Sequence, residues 1–163
     1  MEQHEVNEEL AAAGGRELLT TTAMAHLAYT GPDGTPRVIP VGFYWTGSEV
    51  VISTAATSPK VAALAARPDV AVSIDAGDTP DGARALSIRG RADITIVDGV
   101  VEEYLAASRI SMDADAAAEF ERNVRGFYDR MARIAITPTW ARFYDFGAGR
   151  VPRFLQELAE RTS

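Results

Sequence analysis

Polar and apolar positions alternate in short runs separated by turn chemistry. Residues 25–30 form one such run. Gly31-Pro32-Asp33-Gly34 then turns the chain, because proline presets φ while aspartate and glycine tolerate a tight return. Residues 37–45 read as a second strand, Thr46-Gly47-Ser48 as a turn, and residues 49–54 as a third strand. Together they predict an antiparallel meander. A helix is predicted over residues 59–66, stopped by Arg67-Pro68, and then a strand over 70–75 and a polar loop over 77–82. The clearest strand follows. Leu86, Ile88, Ala92, Ile94 and Ile96 share one face with Gly90, while Ser87, Arg89, Arg91, Asp93 and Thr95 take the other. A glycine inside so long a run predicts a bulge or a close backbone approach, as in a barrel wall that bends.

Helical spacing appears in three places. Residues 7–20 read as an N-terminal helix broken at Gly14-Gly15. Residues 98–131 read as two helical pieces parted near Ser111-Met112-Asp113. In the second piece Ala116, Phe120, Val124, Phe127 and Met131 recur at three or four and form one apolar face. Residues 152–161 form a short amphipathic tail with Phe154, Leu155 and Leu158. Between the last two, strands are predicted at 133–137 and 140–146, with Pro138 marking an edge or a bulge. No repeat or linker interrupts the chain. Residues 1–163 are therefore expected to be one domain, with an N-terminal helix (1–20), a helical insertion (98–131) and a C-terminal tail (147–163). Six to seven antiparallel strands with short flanking helices make the class mainly β, α+β, as a small barrel.

Composition narrows the function. A chain of 163 residues suits one domain with a real core, and 47% hydrophobic with 24% charged residues is ordinary for a globular protein. A net charge of −7 argues against nucleic acid and against anionic lipid, both of which need a basic surface. The absence of cysteine removes disulfides and thiolate metal sites and fits a reducing cytosol. The acidic start, Met1 to Glu5, is unlike a leader sequence, and no run approaches the roughly 20 apolar residues of a membrane span. A cytoplasmic protein is the expectation. His4 and His26 lack metal-ligand spacing, so no metal site is predicted. No nucleophile with its base is apparent, and His26 and Tyr44 are the nearest titratable groups to the segments discussed next. No catalytic side chain is assigned. Any chemistry is expected to belong to a bound cofactor.

The stretch "STAATSPK", residues 53–60, carries the functional signal. Ser58 and Pro59 suit a helix start on geometry alone. The same geometry offers free N–H groups and a partial positive charge to a phosphate, and Ser53, Thr54, Ser58 and Lys60 add hydroxyls and a compact cation. Arg37, opening "RVIPV", is either solvated or a second cation aimed at the same anion, and Pro40 leaves nearby backbone groups without a ladder partner.

Four stretches in this order, "HLAYTGPDGTPRVIPVGFYW", "GSEVVISTAATSPKVAALAARPDVAVSI", "LSIRGRADI" and "IAITPTWARFYDF", resemble the pyridoxamine 5′-phosphate oxidase-like family of flavin and deazaflavin proteins. The resemblance implies a split β-barrel and a homodimer with two cofactor sites at its interface. It implies that the "RVIPV" strand lies along the isoalloxazine ring, which makes Arg37, Val38, Ile39 and Val41 cofactor contacts. It gives Ser53, Thr54, Ser58 and Lys60 to the cofactor phosphate, and brings Trp140 and Arg142 in from the partner subunit. The expected cofactor is FMN, with the deazaflavin coenzyme F420 as the alternative. The latter's oligoglutamate tail would call on cations such as Lys60, Arg37, Arg84 or Arg89. The implied activity is a flavin-type oxidoreductase acting on a small organic molecule. The reading from another class is a flavin- or haem-binding protein without turnover. Pro59 stands where true pyridoxamine phosphate oxidases carry arginine, and their C-terminal substrate-phosphate motif is missing, so the vitamin B6 reaction is not expected.

Overall fold

The computed structural model describes residues 1–162. Two helices open the chain, α1 (Gln3–Ala11) and α2 (Ala13–Thr21). A capping box fixes the start of α1, where the Glu5 carboxylate accepts from the Glu2 N–H at 2.6 Å. The break between the helices falls at Ala12, which takes an extended conformation, and not at Gly14-Gly15 as the sequence predicts. The glycines serve close packing instead. A Cβ on Gly14 would collide with Cζ of Phe143, so glycine there lets α2 sit directly on that ring.

The alternating runs become β1 (Met24–Thr30), β2 (Pro36–Gly42), β3 (Tyr44–Trp45) and β4 (Val50–Ala55). The expected second strand is thus interrupted at buried Phe43. Helix α3 (Pro59–Ala66) and strand β5 (Asp69–Ala76) follow, and then, after a 3₁₀ turn (Pro80–Gly82), the long β6 (Arg84–Asp98). The insertion contains α4 (Glu102–Ser111) and α5 (Ala114–Phe127), parted where the sequence predicts. The Asp113 carboxylate caps α5 by accepting from the Ala116 N–H at 2.8 Å. Strand β7 (Arg130–Asp145) runs unbroken through Pro138, and α6 (Arg153–Arg161) closes the chain.

The strands form one antiparallel sheet in the order β2-β1-β5-β6-β7-β4-β3. The sheet curls without closing. β2 approaches β4 but does not pair with it, so the barrel stays split along that seam. The mainly β, α+β split barrel of seven antiparallel strands is the class expected. One row explains the core: Leu27, Val72, Ile88 and Ala141 stand opposite one another on four strands, all fully buried. Burial of each large side chain of this kind contributes about 1.5–3 kcal/mol.

The bulge expected at Gly90 is present. Arg89 pairs with Trp140 but Gly90 with Pro138, so Thr139 is the extra residue. The bulge is what allows proline in a central strand, since Pro138 has no N–H for the ladder. A Cβ on Gly90 would collide with the Thr137 carbonyl oxygen and lie 2.9 Å from Cγ2 of Ile136. Gly90→Ala is therefore expected to cost about 1–3 kcal/mol, measured by urea denaturation.

Two details of the insertion differ from the sequence reading. The apolar face of α5 uses Ala117 and Val124, while Phe127 is 78% exposed at the helix end. Met131 is buried in β7 and not in the helix. Met131 and Ala132 pair with Ala55 and Thr54 of β4 and with Val97 and Ile96 of β6, and this cross-strand pairing overrides the helical spacing.

Candidate functional site

The corner between β4 and α3 is built as the sequence suggests. Ser58 takes the N-cap position in an extended conformation, Pro59 begins the helix, and the Val61 N–H donates to the Ser58 carbonyl at 3.0 Å. The Ser58 hydroxyl makes no capping bond, although the geometry invites one. It is thus available to a ligand. Lys60 is the only lysine of the chain. It is half-buried, and among the described residues no carboxylate pairs with it. Burial pushes its pKa below the ordinary lysine value. An anion beside it would oppose that shift. Ser53 and Thr54 end β4 half-buried and precede this corner directly. An unpaired cation, an uncommitted N-cap hydroxyl and a helix N-terminus suit a phosphate monoester.

The strand β2 distributes its residues over two faces. Arg37, Ile39 and Val41 point inward, and Val38 and Pro40 outward. Ile39 packs against the core and Val41 belongs to it, so neither offers a side chain to a ligand. Val38 is 67% exposed. Arg37 turns back on its own hairpin. It pairs with Asp33 at 3.0 Å and donates to the Thr35 hydroxyl and to the carbonyls of Thr35 and Pro36. The Thr35 hydroxyl and N–H, with Arg37 behind them, hold the Asp33 carboxyl well below the usual range. Arg37 thus clamps a turn in this structure, and of Arg37 and Lys60 it is Lys60 that has no carboxylate partner among the described residues.

Outward residues of five strands line up in register. Val38, Ala28, Ala71, Arg89 and Trp140 form one row across β2, β1, β5, β6 and β7. Pro40, His26, Ser73, Ser87 and Arg142 form the next. The centre of this face, at Ala28, Ala71, Ser73 and Ser87, carries only small, half-buried side chains, so it is flat. Trp140 lies four strands from Val38, about 19 Å at the usual strand spacing. Within one chain the two do not share a site. Arg89 stacks on Trp140, its guanidinium carbon 4.2 Å from the ring centre, and has no carboxylate partner among the described residues. Arg84, by contrast, is paired with Glu17 at 2.7 Å. His26 is exposed, 3.8 Å from Asp75, and Tyr44 is half-buried on β3. No group of acidic, histidine or cysteine side chains suited to a metal occurs among the described residues. No helix there is long and apolar enough to cross a membrane.

One buried charge escaped the sequence reading. Glu9 of α1 accepts from the Phe143 N–H at 2.8 Å, from Arg150 at 2.5 Å and from Arg142 at 3.1 Å. Arg150 also donates to the Phe143 carbonyl at 2.7 Å. Burial acts to raise the Glu9 pKa, but the Phe143 N–H and the two guanidiniums outweigh it and hold the group ionised. A lone glutamate on a polar helix carries no signal of this role. Arg142, expected near a cofactor, is thereby tied to α1.

The open antiparallel barrel, with its hydroxyl-and-lysine corner, belongs to the split-barrel class. The family model for pyridoxamine 5′-phosphate oxidase matches residues 15–144, and the chain belongs to that family. Similar solved structures include a conserved hypothetical protein, Rv2991, of Mycobacterium tuberculosis, at 21% identity and TM-score 0.62, covering 94% of this chain and 90% of that one. A protein named F420 reductase is 29% identical with TM-score 0.58, covering 77% of this chain and 94% of that one. A heme binding protein from Mycobacterium smegmatis is 22% identical with TM-score 0.55, covering 82% of this chain and 54% of that one. Comparison with curated proteins gives no match.

Proposed function

We propose that the protein is a flavin-type oxidoreductase. It holds FMN or the deazaflavin coenzyme F420 along the split of the barrel and transfers reducing equivalents to or from a small organic molecule. The observation that carries this reading is the half-buried Lys60 without a carboxylate, set at the N-terminus of α3 beside the free Ser58 hydroxyl. A half-buried cation with no carboxylate beside it favours an anionic ligand. Lys60, Ser58, Ser53 and Thr54 would hold the phosphate, and the outward side of β2 at Val38 and Pro40 would support the ring. The relative named F420 reductase favours the deazaflavin over FMN. When bound, either cofactor supplies hydride chemistry, so the chain need only bind, orient and exclude water. No side chain is assigned as acid, base or nucleophile.

The flat outward face supports a homodimer. A second copy related by a two-fold axis would cover Ala28, Ala71, Ser73 and Ser87 and would carry its Trp140 toward Val38 of the first. That would complete the cofactor site with a residue one chain keeps about 19 Å away. Light scattering at micromolar concentration is expected to return twice the 17.5 kDa of the chain, and Ala71→Arg, at the centre of the face, to return a monomer. A wild-type mass of 17.5 kDa would remove the shared site.

Titration of the purified protein with FMN, the deazaflavin and haem in turn tests the function. The expected result is tight binding of one flavin-type cofactor, whose visible absorption bleaches with reductant and returns with an acceptor. A haem Soret band with no flavin binding would favour the reading as a haem carrier.

A further inference from the structure

The helical insertion packs on the outward side of β4 and β7 through Val101, Leu105, Val124 and Met131. Between α4 and the ends of β1, β2 and β4 it leaves a cavity of about 270 Å³. Gly42, Phe43, Val51 and Ser53 form the barrel side of its wall. Tyr104, Met112 and Phe120 face them from the insertion.

The lining specifies a chemistry. Two aromatic rings, Tyr104 and Phe120, offer faces and edges to a planar ligand, and the thioethers of Met24 and Met112 adapt to its outline. Tyr104 and Phe120 already lie 5.5 Å apart, centre to centre, as a preformed aromatic wall. The charged group in the wall is Glu103, and it is neutralised. Arg133 donates to it at 2.7 Å from Nε, with Nη2 at 2.6 Å, and reaches Glu49 at 3.4 Å. Burial acts to raise the Glu103 pKa, but the Arg133 guanidinium outweighs it and keeps the carboxylate ionised and paired. Burial and the neighbouring Tyr128 push the Tyr104 phenol up, so it stays neutral. An anion entering the cavity finds no free cation, and a cation must compete with Arg133. The volume lies below the roughly 300–1,000 Å³ of drug-sized pockets.

The cavity is also continuous with the proposed cofactor site. The outward row of β2 that carries Val38 and Pro40 ends at Gly42, in the cavity wall. Ser53 belongs both to this wall and to the hydroxyl set before Lys60.

We infer that this cavity binds a small uncharged ring compound, of one or two fused rings, and that it is the substrate pocket of the oxidoreductase. The substrate role rests on the function proposed above, whereas the binding does not. The Ser111 hydroxyl accepts a hydrogen bond from such a molecule, and the aromatic wall gives it its plane. The insertion, absent from a bare barrel, selects the substrate.

Calorimetric titration with 2-naphthol, neutral at pH 7, and with 2-naphthoate, its charged analogue, tests the inference. One 2-naphthol per chain is expected, with 2-naphthoate at least tenfold weaker. Ala107→Trp, which fills the cavity from α4, is expected to weaken 2-naphthol by tenfold or more. Ser111→Trp, at the exposed end of the same helix, is expected to do so with an unchanged Tm, and it decides the matter if Ala107→Trp fails to fold. Both variants should take the flavin-type cofactor as the wild type does, and Lys60→Ala should take 2-naphthol as the wild type does. Absence of 2-naphthol binding, equal affinity for 2-naphthoate, wild-type affinity in Ser111→Trp, or displacement of the probe by FMN or the deazaflavin would each overturn the inference. A protein that binds 2-naphthol but no flavin-type cofactor would overturn the substrate role and the proposed function, and leave the pocket.

Discussion

Lys60→Ala is expected to lower cofactor affinity by about ten- to a hundredfold while leaving the fold nearly untouched. The side chain makes no ion pair among the described residues, so its removal costs the folded state about half a kcal/mol or less, a Tm change of about 1–2 °C. A charge-assisted contact to a phosphate contributes roughly 1.5–3 kcal/mol, which is the affinity loss expected. Lys60→Arg should restore part of the affinity, because the charge returns without the compact shape. Fluorescence titration gives the affinities and thermal denaturation the stability. Equal affinity in Lys60→Ala and wild type would reduce the 53–60 corner to a helix start and nothing more.

The largest stability effect is expected at Glu9→Ala. The carboxylate side chain is only 10% exposed and links α1 to Phe143, Arg142 and Arg150. Its loss leaves the Phe143 N–H without an acceptor and two guanidiniums without a counter-charge. Breaking a fully buried pair costs about 3–5 kcal/mol. Here the guanidiniums are 51% and 43% exposed and recover water, so about 2–3 kcal/mol is expected. Thermal denaturation should show a Tm lower by about 4–12 °C. The pH dependence identifies the cause. The folded-state pKa of Glu9 lies below the ordinary 4.5, so its contribution is complete above that value and is lost as pH falls through the folded value. The stability difference between wild type and Glu9→Ala should therefore be constant at neutral pH and shrink in acid. A difference independent of pH would mean that packing, and not the charge, fastens α1.

The sequence was most informative where local chemistry decides structure. The turn at Gly31-Pro32-Asp33-Gly34, the bulge at Gly90 and the helix start at Ser58-Pro59 were legible because each rests on a backbone property of one or two residues. The break between α1 and α2 was not, because the role of Gly14 depends on Phe143, far along the chain. The strand start at Arg130 was hidden for a similar reason. Its helical spacing is local, whereas its ladder partner, Asp98 of β6, lies across the helical insertion. For the candidate site, Lys60 and its hydroxyls form a contiguous stretch and could be read directly. Which face Val38 and Ile39 take, and that Arg37 is claimed by Asp33, needed the register. The outward row from Val38 to Trp140 spans five strands and exists only once the strand order is known. The parity of Ala28, Ala71, Ser73 and Ser87 was present in the sequence, but with no order it marked no surface.

Hydrogen–deuterium exchange with and without saturating cofactor tests the central claim most directly, because it locates the bound molecule on the chain. The expected result, with FMN or with the deazaflavin, is slowed exchange in residues 37–42 and in residues 53–61. These are two segments on strands that do not pair with each other and face across the split. Slowed exchange confined to other segments, or no change in either of these two while the cofactor is bound, would contradict the account.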